Sequence, residues 1–143
     1  MAVVEKSVLI ERTTRQMFDL VDRVEDYPQF LPWCGGTELL ERTETKTCAR
    51  LHIDYHGLRA HFATENAKEA PLRMQIELRE GPFRKMTGGW RFTPLGETAC
   101  KIEFRLHYEF TNRILELAVG PVFNHIANTF VDSFVKRAKQ VYG

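Results

Sequence analysis

Apolar and polar residues alternate in several stretches of this chain, and apolar residues recur every three or four positions in two others. The cleanest alternation sets Cys100, Ile102, Phe104, Leu106, Tyr108 and Phe110 against Lys101, Glu103, Arg105, His107 and Glu109. A period of two predicts a β-strand with one dry face. Ala49, Leu51, Ile53 and Tyr55 alternate in the same way with Arg50, His52 and Asp54. So do Leu72, Met74, Ile76 and Leu78 with Arg73, Gln75, Glu77 and Arg79. Met86, Gly88, Trp90 and Phe92 form a further dry face, and Gly88-Gly89 predicts a bulge or bend within it. Residues 3–10 are β-branched enough for a first strand, and 37–42 for a short one. Turns are expected over 41–46, at Gly81-Pro82 and over 94–97. His56-Gly57 suits a two-residue hairpin loop. That register sets Leu51 opposite Phe62, Ile53 opposite Ala60 and Tyr55 opposite Leu58. On the other face Asp54 meets Arg59 and His52 meets His61, so both faces pair sensibly.

Helical spacing appears first after Thr13, which forms a capping box with Gln16. Met17, Phe18, Leu20, Val21 and Val24 then mark a short helix to about Arg23. The stretch Asp26-Tyr27-Pro28-Gln29-Phe30-Leu31-Pro32-Trp33-Cys34 follows. Its two prolines forbid a long helix, so it reads as a Pro-bounded helical piece and a rigid aromatic elbow, ended by Gly35-Gly36. Such an elbow either plugs one end of a core or lines the mouth of a cavity. The chain closes with a helix capped by Asn112 over 113–119, and the main helix is expected to start or kink at Gly120-Pro121. Phe123, Ile126, Ala127, Phe130, Phe134, Val135, Ala138 and Val141 form its apolar stripe. The order is one strand, two short helices, about six antiparallel strands and one long helix. An α+β domain over 1–143, with a curved sheet of about seven strands wrapped around the last helix, buries every dry face economically.

Composition narrows the chemistry. A formal net charge of +1 gives no bulk electrostatic case for nucleic acid, and no DNA partner is expected. Ten Phe, four Tyr and two Trp supply a core or a ring-binding pocket. Three widely spaced cysteines fit a reducing compartment. The first six residues carry no targeting pattern, and no run approaches the roughly 18 apolar residues of a membrane span. A cytoplasmic protein, with transient contact to the inner-membrane surface at most, is the expectation.

Three motifs carry a family resemblance: Leu20-Val21-Asp22, the run Tyr27-Pro28-Gln29-Phe30-Leu31-Pro32-Trp33-Cys34, and Phe134-Val135-Lys136-Arg137-Ala138. With the element order, they make the chain resemble the polyketide-cyclase/coenzyme-Q-binding family of the START-like, helix-grip superfamily. The resemblance implies a lipid-sized cavity between sheet and long helix, with ubiquinone as bound ligand, no required cofactor, and a carrier role in respiration or quinone synthesis. It also implies an alternative: bacterial members are described as toxins that bind the large ribosomal subunit and block subunit association. A cyclase-like enzyme is a distant third.

The inferred inward face contains no carboxylate, His or Lys, so no catalytic residue is assigned. The expected cavity residues are Tyr55, Phe62, Met74, Ile76, Trp90, Phe92, Phe104, Leu106, Tyr108, Phe123 and Phe130. Tyr55, Tyr108 and Trp90 are the ones equipped to meet a quinone carbonyl or ring. The same positions would serve a plain core equally well. Tyr27, Phe30, Leu31 and Trp33 are read as the entrance. His52, His56 and His61 cluster at one hairpin without the spacing of a metal site, and none is expected. Cys34 reads as a small buried hydrophobe. Arg50, Arg59, Arg73, Arg79, Arg84, Lys85, Arg91, Lys101 and Arg105 are the exposed cations available to a ribosome, diluted by interleaved acids.

Overall fold

Residues 2–143 are described by a computed structural model. The elements in chain order are β1 (Ala2–Ile10), α1 (Thr14–Asp22), a 3-10 helix (Val24–Gln29), β2 (Cys34–Arg42), β3 (Lys46–Tyr55), β4 (Leu58–Glu69), β5 (Arg73–Glu80), β6 (Phe83–Leu95), β7 (Ala99–Phe110) and α2 (Arg113–Tyr142). The seven strands form one antiparallel sheet in the order β1-β7-β6-β5-β4-β3-β2. Strands β2 to β7 form a meander, while β1 pairs with β7 at the far edge. The segment holding α1 and the 3-10 helix therefore carries the chain from one sheet edge to the other. Helix α2 covers the dry face, which completes the helix-grip arrangement expected from the element order.

Local chemistry explains the boundaries. Thr13 accepts a hydrogen bond from the Gln16 amide at 3.1 Å, and the Gln16 side chain accepts one from the Thr13 amide at 2.9 Å, closing the capping box. The β3–β4 hairpin has the anticipated register in every pair named above. Its loop places His56 at φ 52° and Gly57 at φ 83°, the left-handed pair that matches the twist of the flanking strands. The same register continues past the apolar positions, pairing Ala49 with Thr64 and Thr47 with Asn66. The inward face of this hairpin thus includes polar residues that alternation of apolar side chains does not reveal.

Gly88 and Gly89 act through close approach. A Cβ on Gly88 would stand 2.1 Å from the Arg105 carbonyl oxygen on β7, and one on Gly89 2.7 Å from that of Met74 on β5. The pairing is continuous there, so the sheet draws in without a bulge.

Four expectations need correction. Gly35 and Gly36 lie inside β2, whose ladder is offset between Cys34 and Gly36, so the strand starts at Cys34 and not after the two glycines. Pro94 is in β6, opposite Cys100, and the turn lies beyond Leu95. Pro sits there because β5 does not pair with β6 past Arg91, so no ladder donor is missed. Helix α2 is continuous from Arg113 through Pro121, with the Asn112 side chain capping the Leu115 amide at 2.9 Å. Val131 joins its buried stripe, Phe130 and Val135 are half-buried, and Val141 is exposed. By length and composition α2 would suffice to cross a membrane. Polar Asn124, His125, Asn128 and Asp132 interrupt its outer side, and its apolar stripe is spent on the sheet.

The core lies between the sheet and α2. Phe123 packs against Phe62, Phe83 and Tyr108 at 4.8–5.7 Å between ring centroids. Phe134 packs against Tyr27, Phe30 and Trp90 at 5.2–5.4 Å. Each such ring contributes about 1.5–3 kcal/mol on burial. Gly88→Ala is expected to cost about 2–3 kcal/mol or more, because the new methyl meets backbone on a neighbouring strand. Gly36→Ala, with nothing within 4 Å of its Cβ, should stay within about 0.5 kcal/mol of the parent. Urea unfolding of both variants checks the contrast.

Candidate functional site

Between the sheet and α2 the rings leave a cavity of about 60 Å³. Its wall takes Val21 from α1, Val24 and Tyr27 from the 3-10 helix, and Trp33 from the elbow. The sheet supplies Ala49, Leu51, Phe62, Thr64, Asn66, Ile76, Met86, Trp90, Phe104 and Leu106, and α2 supplies Phe123, Ile126, Ala127 and Phe130. Thus seven expected cavity residues meet on one wall: Phe62, Ile76, Trp90, Phe104, Leu106, Phe123 and Phe130. The volume is well below the about 150 Å³ of an apolar cavity that admits benzene. The lipid-sized cavity that the resemblance implied is therefore not open in this conformation.

The other expected cavity residues stand elsewhere. Met74 and Phe92 are fully buried beside the wall, with Phe92 edge-on to Phe18 at 5.9 Å. Tyr108 is buried too, and its hydroxyl bonds the Asn124 side chain on α2, which leaves it no free donor. Tyr55 is half-buried at the hairpin end of the sheet, stacked on His125 at 5.8 Å. Of the elbow, Tyr27, Leu31 and Trp33 are all buried and Phe30 is half-buried, with the Arg137 guanidinium 5.1 Å above its ring. The Tyr27 hydroxyl donates to the Val21 carbonyl, and burial pushes its phenol pKa up. The elbow is shut as a plug whose inner residues form part of the cavity wall.

Beside the wall lies a polar cluster absent from the inferred inward list. Asp22, at the end of α1, accepts from the Thr47 hydroxyl at 2.7 Å and from Lys68 Nζ at 3.2 Å. Lys68 is only 5% exposed along its side chain. Arg42 adds a guanidinium 3.5 Å from Asp22, a bond to its carbonyl at 2.7 Å, and a bidentate pair with Glu25 at 2.8 Å. The inward face therefore does hold a lysine. Extending the hairpin register would have found it, since Lys68 continues the parity of Phe62, Thr64 and Asn66. Lys68 is engaged by Asp22 and does not line the cavity. The wall itself carries no carboxylate, histidine or lysine.

At the outer hairpin face, His52 Nε2 lies 2.7 Å from Glu38, and no group of three metal-ligating side chains occurs among the described residues. Cys34 is buried, which pushes its thiol pKa up. Of the nine exposed cations considered, seven sit within 4.0 Å of an acid. Of those nine, Lys85 and Arg91, both on β6, have no acid within that distance among the described residues.

Residues 10–135 match the family described as polyketide cyclase / dehydrase and lipid transport. The chain is 42% identical over 143 residues to a Vibrio cholerae protein named ribosome association toxin RatA, covering 100% of this chain and 99% of that one. It is 24% identical over 142 residues to the mitochondrial coenzyme Q-binding protein COQ10 homolog B of Xenopus laevis, covering 96% of this chain and 58% of that one. The Zhui aromatase/cyclase of Streptomyces sp. R1128 superposes with a TM-score of 0.81 at 17% identity, covering 99% and 96% of the two chains, a likeness of fold.

The Arg42 hydrogen bond holds the Glu25 carboxyl at about 2, below its ordinary 4.5. A depressed carboxylate stabilises the fold fully above its unfolded pKa, and that contribution fades as pH falls from 4.5 through about 2. Glu25 is partly exposed, so the pair is worth up to about 1 kcal/mol after solvent screening. Glu25→Gln is expected to lower Tm by about 2–4 °C at pH 7. Melting curves in acid should show the gap to the parent closing toward pH 2; a gap independent of pH would exclude this role.

Proposed function

The chain belongs to the polyketide cyclase / dehydrase and lipid transport family, and from that membership we propose that it is a binding protein of the ribosome-association type. One observation carries this reading: the 42% identity to the Vibrio cholerae ribosome association toxin runs the full length of both chains. The contact falls on the solvent face of the sheet. Lys85 and Arg91 are its candidate phosphate contacts, because their charges are not already neutralised by neighbouring acids. Binding rather than catalysis also suits a cavity wall with no carboxylate, histidine or lysine in it. Overexpression should shift sedimenting ribosomes toward free subunits, and Lys85→Glu with Arg91→Glu should weaken that shift. An unchanged sedimentation profile, with the protein soluble and absent from the ribosomal fractions, would overturn the reading.

A second reading is supported by the cavity. Its apolar wall and the coenzyme Q-binding relative at 24% identity favour a quinone-like apolar ligand held between sheet and α2, exchanged by transient contact with the inner-membrane surface. The 60 Å³ volume requires the wall to part before such a ligand enters. The pair that would part is Trp33 and Phe130, whose rings meet at 6.3 Å between the elbow and α2. Gentle purification followed by solvent extraction should yield a quinone absorbance that disappears on borohydride reduction. A lipid-free extract from protein isolated in the presence of membranes would count against it.

A further inference from the structure

The hairpin β3–β4 turns four polar side chains inward: Thr47, Thr64, Asn66 and Lys68. Asp22 takes two of them, binding the Thr47 hydroxyl and the Lys68 ammonium. The other two, Thr64 and Asn66, face the apolar cavity. Asn66 Oδ1 is buried without any hydrogen-bond partner, while its amide nitrogen reaches only the Met74 thioether at 3.5 Å. Turning the carboxamide over does not help. A thioether accepts weakly and donates nothing, so the reversed group would leave its NH2 facing the cavity and its oxygen facing sulfur. Either way one end of a strong hydrogen-bonding group is unserved in a wall that, Thr64 apart, is built from rings and apolar chains. A buried orphan of this kind costs stability and marks a place where a partner from outside the chain, a water or a ligand group, is expected.

We propose that Asn66, assisted by Thr64, is the polar anchor for the head of a neutral apolar ligand bearing a carbonyl or hydroxyl group. This rests on the second reading above and names the ligand class for that cavity. The wall offers no cation to balance a carboxylate or phosphate, so a fatty acid or phospholipid head would enter with its charge unpaired. A carboxamide both donates and accepts, and therefore serves a quinone carbonyl and a quinol hydroxyl alike. The anchor lies where β4 runs on to Lys68 and the end of α1, so the Asp22 cluster that occupies Lys68 and Thr47 also keeps their charge and hydroxyl out of the cavity.

The test compares two probes with the same tail, decylubiquinone and decylbenzene, each supplied from cyclodextrin and quantified in the protein fraction after gel filtration. The parent protein is expected to take up both. Asn66→Leu, close to Asn in shape, should lower the affinity for decylubiquinone roughly three- to tenfold, the worth of about one hydrogen bond, and leave decylbenzene unchanged or tighter. Thr64→Val should move the ratio of the two affinities in the same direction by a smaller factor, and it stands alone if the Asn66 variant does not fold. An unaltered ratio in the folded variants overturns the anchor while leaving the cavity reading intact. Uptake of neither probe by the parent overturns the cavity reading, and the anchor with it.

Discussion

Phe130 and Phe134, one turn apart on α2, tie the helix, the sheet and the elbow into one contact. Phe134 meets Tyr27, Phe30 and Trp90, and Phe130 meets Trp33, Trp90 and Phe104, all at 5.2–6.3 Å between centroids. A seven-stranded sheet with one dry face must have that face covered, and a single helix is all the chain supplies for most of it. The elbow closes the remaining end. Rings suit this task because edge-on and tilted contacts span the uneven gap between a straight helix and a curved sheet.

The cavity is a consequence of the same geometry. Flat rings set at steep angles to one another do not fill the space between them, and about 60 Å³ is left over. A chain under selection for stability alone would line such a gap with aliphatic groups. Here Thr64 and Asn66 face it, while their neighbours in the same rows are tied to Asp22. That division, one polar pair committed to the fold and one facing the cavity, is what the proposed anchor rests on. It is compatible with the proposed ribosome association, since Lys85 and Arg91 lie on the opposite face of the sheet. One face of the molecule is dry and enclosed, the other charged and open.

Much of the architecture was legible in the chain because it depends on neighbours in sequence. The capping box at Thr13, the His56-Gly57 loop and the β3–β4 register follow from residues a few positions apart. The period of two in β7 assigns its faces without reference to anything else. Errors arose where a partner strand or helix decided the outcome. Pro94 is tolerated in β6 because β5 stops short of it, and α2 runs through Pro121 because its flanking turns are held against the sheet.

The candidate site divides along the same line. Apolar alternation identified Ile76, Trp90, Phe104 and Leu106 as inward residues, the helical stripe Phe123 and Phe130, and the hairpin register Phe62. The inward reading stopped at Phe62 on β4, because the next inward positions are polar, although the register itself continues through Asn66. Only the tertiary structure shows that Lys68 is neutralised by a carboxylate 46 residues away while Asn66 is not satisfied at all. It alone shows that Tyr108 spends its hydroxyl on Asn124 and that Tyr55 lies outside the cavity. Periodicity is a property of one strand and can be read along the chain. Satisfaction of a polar group and the volume left between rings are properties of many side chains meeting at once, and they come into being when the sheet closes on α2.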